Sequence, residues 1–328
     1  MGLELRPPPT RDRRAGAPPA PVAGAQAVSA WRARLSWLDI KASPYLYIAP
    51  FFLLFAVFGL FPIGYTFWVS LHDWELIGWR EFIGLHNYAE LMVDTDFWNS
   101  VVNTFGMFVL STVPQLLIAL VLANLLNQWL RVRTFFRMGV LIPMVTSVVA
   151  VAIVFSQLYG RDYGMVNWLL GLVGVDRIEW QADKWSSWIA ISSMVDWRWT
   201  GYNTLIYLAA MQAIPRDLYE AAAIDGASRA RQFWRITVPL LRPTIIFTAI
   251  ISTIGGLQLF TEPLLFGSGQ MGGGSLGQFQ TMTMYMFENA FRDYEYGYGA
   301  AIAWVLFVII ILASIVNFLI IRRLRSTS

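Results

Sequence analysis

Two pairs of polar residues stand four apart inside stretches that are otherwise apolar. They are Asn203 and Tyr207 in GYNTLIYLAAM, and Gln258 and Glu262 in GGLQLFTEPLLF, with Phe260 between the second pair. On a helix, residues four apart share a face. Amide, carboxylate and aromatic ring together offer hydrogen bonds to hydroxyl groups and a flat apolar surface to C–H groups, which is what a sugar requires. Polar residues within apolar spans are candidates for a solute pathway. The plainer alternatives are an interhelical hydrogen bond for Gln258 and an interfacial end position for Glu262. A third pair, Asp196 and Arg198 in MVDWRWTGYN, lies near the middle of another apolar stretch. It either lines a watery path or is neutralised within or across subunits. Residues two apart do not share a helix face.

Other chemistry is poorly supplied. The chain of 328 residues has no cysteine and only two histidines, His72 and His86. That excludes a thiol nucleophile, a disulfide framework and a histidine-rich metal centre. Its only lysines are Lys41 and Lys184, so no glycine-rich loop carries the lysine of a nucleotide-binding P-loop. The glycine-rich GSGQMGGGSLG is read as a flexible external loop. No compact catalytic set is expected, and no cofactor or metal.

The elements that must position the polar pairs are membrane spans. With 56% hydrophobic and 14% charged residues, the chain is too apolar for an ordinary soluble domain. Six segments reach the length of about 20 apolar residues that a helix needs to cross a bilayer. They are Tyr45–Ser70, Val101–Leu126, Met138–Leu158, Trp188–Met211, Thr244–Leu265 and Gly299–Ile321. The expected fold is therefore an all-α polytopic membrane protein with six transmembrane helices. Eighteen Lys and Arg residues fall on the side of the two termini and five on the other. This bias places both termini in the cytoplasm. Residues 1–44, rich in Pro, Ala and Arg, are expected to be a disordered cytoplasmic tail. Residues 45–321 form the membrane domain and 322–328 a short cytoplasmic tail.

Between the fourth and fifth spans lies YEAAAIDGASRARQFWRITVPLLRP, a polar helical hairpin on the cytoplasmic side. Pro215 can open a helix, Asp217 and Glu220 suit its positive end, and Gly226 is placed to end it. Ser228 can cap a second helix, with Phe233, Trp234 and Ile236 on one side. The small face of Ala221, Ala222 and Ala223 suits docking into a cleft of a soluble partner. A connector lying on the lipid surface fits the composition equally well.

EAAAIDGASRARQFWRITVPLL resembles the EAA motif of the membrane subunits of binding-protein-dependent ABC importers. GLHNYAELMVDTDFWNSVVNTF, FFRMGVLIPMVTSVVAVAIVFSQLYGRDYGMVNWLL and MYMFENAFRDYEYGYGAAIAW are similar to the carbohydrate branch of that family. The resemblance runs from about Tyr45 to Ile321. It departs at GSGQMGGGS, where the family has Gly-Gly-Pro, and it lacks the extra spans and large external domain of the maltose-type subunit. The resemblance implies that the hairpin is a coupling helix held by an ATPase subunit, with Glu220, Ala221, Ala222, Asp225 and Gly226 as its contact residues. It places Asn203, Tyr207, Gln258, Phe260 and Glu262 near the solute pathway. It implies as partners a second homologous permease, an ATPase dimer, an external solute-binding protein and membrane lipid, with a di- or oligosaccharide as substrate and no nucleic acid. The uncharged Gln258 and Asn203, with no cluster of arginines facing the expected pathway, favour a neutral sugar over an anionic one. WRWTGYNTLIYLAAMQ and GLQLFTEP lie closer to permeases for lactose or cello-oligosaccharides than for maltose. A permease for another small polar solute such as glycerol phosphate, a secondary transporter and a polytopic membrane enzyme are the alternatives. The chain shows no internal repeat, which the second of these requires.

Overall fold

The computed structural model describes residues 42–75, 80–128 and 133–326. The expected tail of residues 1–44 therefore lies almost wholly outside the described residues, and helix is already present at Ala42. The chain divides into two units, residues 1–64 and 65–328. The described part of the first is the N-terminal portion of helix α1 (Ala42–Ser70), whose apolar window contains no buried residue.

The second unit is built from helices. A two-residue antiparallel ladder, β1 (His72–Asp73) with β2 (Glu81–Phe82), follows α1. Then come α2 (His86–Val93), α3 (Thr95–Asn127), α4 (Arg133–Val145), α5 (Val148–Leu158), α6 (Met165–Leu172) and α7 (Lys184–Gln212). The short α8 (Asp217–Ile224) and α9 (Arg229–Leu240) precede α10 (Arg242–Leu257), α11 (Thr261–Phe266), α12 (Met282–Phe287) and α13 (Tyr296–Ser326). The expected C-terminal tail is thus helical through Ser326.

Among the described residues, three helices are long and apolar enough to cross a membrane: α1, α3 and the Tyr296–Leu319 part of α13. Counting two bent pairs as spans brings the number to five. The expected third span, Met138–Leu158, is one of these pairs. α4 and α5 meet at 92°, with Ser147 extended at φ −53° and ψ 129° between them. The other pair is α9 with α10, bent by 68°. α7 has 29 residues, or roughly 43 Å of helix at 1.5 Å per residue, ample to span. Asp196, Arg198 and four serines lower its hydropathy, so it does not count as an apolar span. The expected fifth span, Thr244–Leu265, is not one helix, because regular structure stops at Leu257 and resumes at Thr261.

The most extensive contact in the unit is between α3 and α7. It closes because small residues let large ones approach: an ideal Cβ on Gly106 would lie 2.2 Å from the Trp188 ring. α4 crosses α7 at Gly201, where a Cβ would lie 1.8 Å from the Val140 carbonyl oxygen. Such small-residue approaches are how helices pack where no hydrophobic effect drives them together. Three of the four buried clusters among the described residues are the most extensive. One joins α2, α3, α10, α12 and α13 through Leu91, Phe97, Leu257, Met282 and Ile302. A second surrounds Trp180, Trp188 and Phe279. The third gathers Leu126, Leu208, Phe233 and Leu241 at the opposite end of α3 and α7.

Asp94 fastens the start of α3. It accepts from the backbone N–H groups of Asp96 and Phe97, at 2.9 and 3.2 Å, as a helix N-cap. It also accepts from the hydroxyls of Tyr285 and Tyr298. Partial burial pushes its carboxyl up, but these hydrogen bonds outweigh it and hold the group below the ordinary aspartate value. The glycine-rich segment after α11, expected as a flexible loop, is instead tied down. Asn99 and Asn103 both donate to the Gly277 carbonyl, at 2.9 and 2.7 Å. Gln278 donates to Ala182 and accepts from the Trp188 indole through its own carbonyl, each at 3.1 Å.

The approach at Gly201 gives a direct test. Gly201→Ala forces α4 off α7 and is expected to destabilise the protein by about 1–3 kcal/mol, the usual cost of overpacking. Its unfolding temperature in detergent should fall; an unchanged value would mean that the two helices are not this close.

Candidate functional site

The break after α10 creates the site. Gln258 leaves helical geometry at φ −106° and ψ 21°, and Phe260 follows at φ −132° and ψ −54°. A break inside a span frees backbone groups that hydrocarbon cannot satisfy. Here the freed Leu259 carbonyl accepts from the hydroxyls of Thr281 and Thr283, at 2.7 and 2.5 Å. Leu264 N–H returns to the Phe260 carbonyl at 3.1 Å and starts α11.

Beside the break lies a cavity of about 470 Å³, walled by α3, α7, α10 and α11. This is within the roughly 300–1,000 Å³ of small-molecule sites. Of the sequence-derived candidates, Asn203, Gln258, Phe260 and Glu262 line it, and so do Arg198, Trp199, Tyr202 and Gln115. The side chains of Gln115, Asn203 and Gln258 make no hydrogen bond to any described residue. Three amides are therefore free to serve something in the cavity. Trp199 and Tyr202 pack edge to face with ring centroids 6.2 Å apart. The Phe260 ring lies 5.4 Å from that of Phe287.

Two expectations need correction. Tyr207 does not line the cavity. It is buried, and its hydroxyl pairs with Thr248 Oγ1 at 2.7 Å, joining α7 to α10. Four residues along α7 carry the side chain from the cavity wall to the helix contact. Gln258 and Glu262 do not share a helical face either, because the break separates them, although both reach the same cavity. Glu262 is buried rather than interfacial.

Arg198 does not pair with its sequence neighbour Asp196. Its Nη1 donates to Glu262 Oε1 at 2.8 Å, between side chains only 16% and 9% exposed. The Nε of Arg198 and the Oδ1 of Asp196 are buried without a hydrogen-bond partner among the described residues. Removing one member of a buried pair strands the other charge. Sequence reasoning singled out both ends of this pair but could not join them, since 64 residues and a helix break intervene. It missed Gln115, although Ser111, Thr112 and Gln115 form a polar patch at helical spacing within apolar α3. That spacing was the available signal.

The hairpin lies at the other end of α7. α8 ends in a Schellman turn: Gly226 N–H bonds the Ala223 carbonyl at 3.0 Å and Ala227 N–H the Ala222 carbonyl at 2.8 Å. Gly226 stands at φ +77°, the left-handed region that disfavours any side chain. Ser228 caps α9 by accepting from Arg231 N–H at 3.3 Å. Phe233 and Trp234 do not share a side, since Phe233 is buried and Trp234 is 63% exposed. Glu220, Ala221, Asp225 and Gly226 are exposed and Ala222 is half-buried. Ile224 is 87% exposed. α8 is tied to α9 by Tyr219 and Thr237, whose hydroxyls lie 2.9 Å apart.

The chain is similar to known proteins over most of its length. Residues 96–326 match the family described as binding-protein-dependent transport system inner membrane component. A trehalose/maltose transport system permease protein of Thermococcus litoralis is 36% identical over 284 residues, covering 86% of this chain and 94% of the relative. A lactose transport system permease protein of Rhizobium radiobacter is 36% identical, covering 84% and 92%. An arabinooligosaccharides transport system permease protein of Halalkalibacterium halodurans is 34% identical, covering 84% and 86%. A chain in the crystal structure of a bacterial ABC transporter involved in the import of the acidic polysaccharide alginate shares the fold. Its TM-score is 0.74 at 24% identity, covering 88% of this chain and 99% of that one. The chain is a multi-pass membrane protein and belongs to the family of inner membrane components of binding-protein-dependent transport systems.

Proposed function

We propose that this permease subunit forms half of the pathway by which an ABC importer takes up an uncharged di- or oligosaccharide. The observation that carries the reading is the set of three unbonded amides, Gln115, Asn203 and Gln258, around a cavity that also presents Trp199, Tyr202 and Phe260. Amides donate and accept, which suits hydroxyls, and ring faces suit the C–H side of a sugar. The names of the relatives point to carbohydrates as well. In this reading α7 and the α10–α11 segment complete six spans, both termini are cytoplasmic and the chain has no catalytic activity of its own. α8 is the coupling helix, with Glu220, Ala221, Ala222, Asp225 and Gly226 meeting an ATPase subunit. A second permease, an ATPase dimer and an external solute-binding protein complete the importer, as the dependence on a binding protein named in the family description suggests.

Gln258→Ala tests the cavity. A hydrogen bond between neutral groups is worth about 0.5–1.5 kcal/mol net, so apparent affinity in sugar uptake should drop by about two- to tenfold. Uptake is measured in proteoliposomes of the full complex with saturating binding protein; unchanged uptake would make Gln258 a structural strut. Tyr207→Phe is the contrast. It should lower stability by about 1 kcal/mol through the lost Thr248 hydrogen bond while sugar affinity stays the same.

Gly226→Val tests the hairpin. A β-branched residue is strained at positive φ, so α8 would be misdirected and the ATPase should no longer co-purify, with membrane insertion intact. Retention of both the ATPase and full transport would remove α8 from the coupling role.

A further inference from the structure

Arg198 and Glu262 are the only charged side chains among the described residues lining the cavity. They come from different elements, Arg198 from α7 and Glu262 from α11 just beyond the break. Their contact at 2.8 Å leaves the wall with no net charge. Only Nη1 of the guanidinium reaches the carboxylate, and Nε is buried without a partner. Nε has no exposed surface, so a ligand could reach only the terminal nitrogens, of which Glu262 holds Nη1.

We propose that this ion pair is the charge filter of the cavity: Glu262 occupies Arg198 so that uncharged saccharides are accepted and saccharides bearing a carboxylate are refused. The inference rests on the saccharide reading given above. A uronic acid entering the cavity must displace Glu262 from Arg198 and then stand beside the displaced carboxylate. Both steps oppose binding, and specificity commonly comes from such built-in repulsion. Without the Glu262 charge, the same guanidinium is an unpaired cation in a low-dielectric wall. A ligand carboxylate then relieves it through a charge-assisted hydrogen bond, the stronger class of such bonds. Specificity for neutral or acidic sugars would thus turn on one side chain, with the amides unchanged.

The test uses pairs of disaccharides that differ only in oxidation at C6: galactobiose against digalacturonate, and cellobiose against its diuronate. Binding is measured on the purified permease–ATPase complex without binding protein, so that delivery does not select the ligand. The wild-type complex should favour the neutral member of a pair. Glu262→Gln should raise the affinity for the diuronate relative to its neutral partner by about tenfold or more. If Glu262→Gln does not assemble, Glu262→Met leaves the same lone guanidinium and carries the same expectation. The double variant Arg198→Gln with Glu262→Gln has no charge on the wall, and neither member of a pair should gain. An intact single variant with wild-type preference overturns the filter, and so does a diuronate gain in the double variant. If neither the wild-type complex nor Glu262→Gln binds any member of either pair, the saccharide reading falls and the filter with it; neutral binding without a diuronate gain in Glu262→Gln overturns the filter alone.

Discussion

Two threonine hydroxyls on one carbonyl hold the cavity open. Inside a bilayer a helix cannot simply stop, because each orphaned backbone group costs several kcal/mol. Thr281 and Thr283 satisfy the Leu259 carbonyl, and so allow the chain to turn at Gln258–Phe260 and present both side chains to the cavity. The threonines can do this only if the segment before α12 is fixed. Asn99 and Asn103 of α3 fix it through Gly277, and Trp188 of α7 fixes it through Gln278. The glycine-rich loop is thus part of the wall's construction, held by residues of both α3 and α7.

The sequence revealed much of this and missed the rest for identifiable reasons. Apolar length located α1, α3 and α13, because burying backbone in lipid needs uninterrupted apolar helix. It could not show the 92° bend between α4 and α5, since a proline such as Pro143 is tolerated within straight spans as well as near bends. Helical spacing brought Gln258 and Glu262 together for the wrong reason: they share a cavity across a break rather than a face along a helix. The same spacing misplaced Tyr207, whose partner Thr248 lies in another helix. The hairpin was the most legible part. Its glycine and serine act on the local backbone, so their meaning needs no distant partner; Pro215 stands before the N-cap Arg216 rather than at the first helical position.

Between the hairpin and the cavity runs one continuous element. Phe233 and Leu241, on either side of the 68° bend, are buried with Leu126 and Leu208 at the ends of α3 and α7. α10 rises from that bend and reaches the break after 16 residues. Near its top Gly256 lies against Phe108 and Thr112 of α3, where a Cβ would be 2.7 and 2.9 Å from the nearest atoms. A helix clamped at both ends behaves as a rod. In the proposed coupling role, a displacement of α8 and α9 reaches Gln258 along that rod, and the unwound residues beyond it absorb the change in backbone angles, as hinge residues do.

The buried ion pair is harder to justify by stability. Well-packed apolar residues in place of such a pair are often neutral or stabilising. At mid-span the charges have a further cost, for they help to keep α7 from being a plainly apolar helix. The α3–α7 contact closes through Gly106 and Trp188 and does not involve this pair, which joins α7 to α11 instead. What the pair faces offers the better explanation. Arg198 and Glu262 face the cavity that also holds three unbonded amides. In the proposed filter, recognition of the solute rather than cohesion of the bundle accounts for their position.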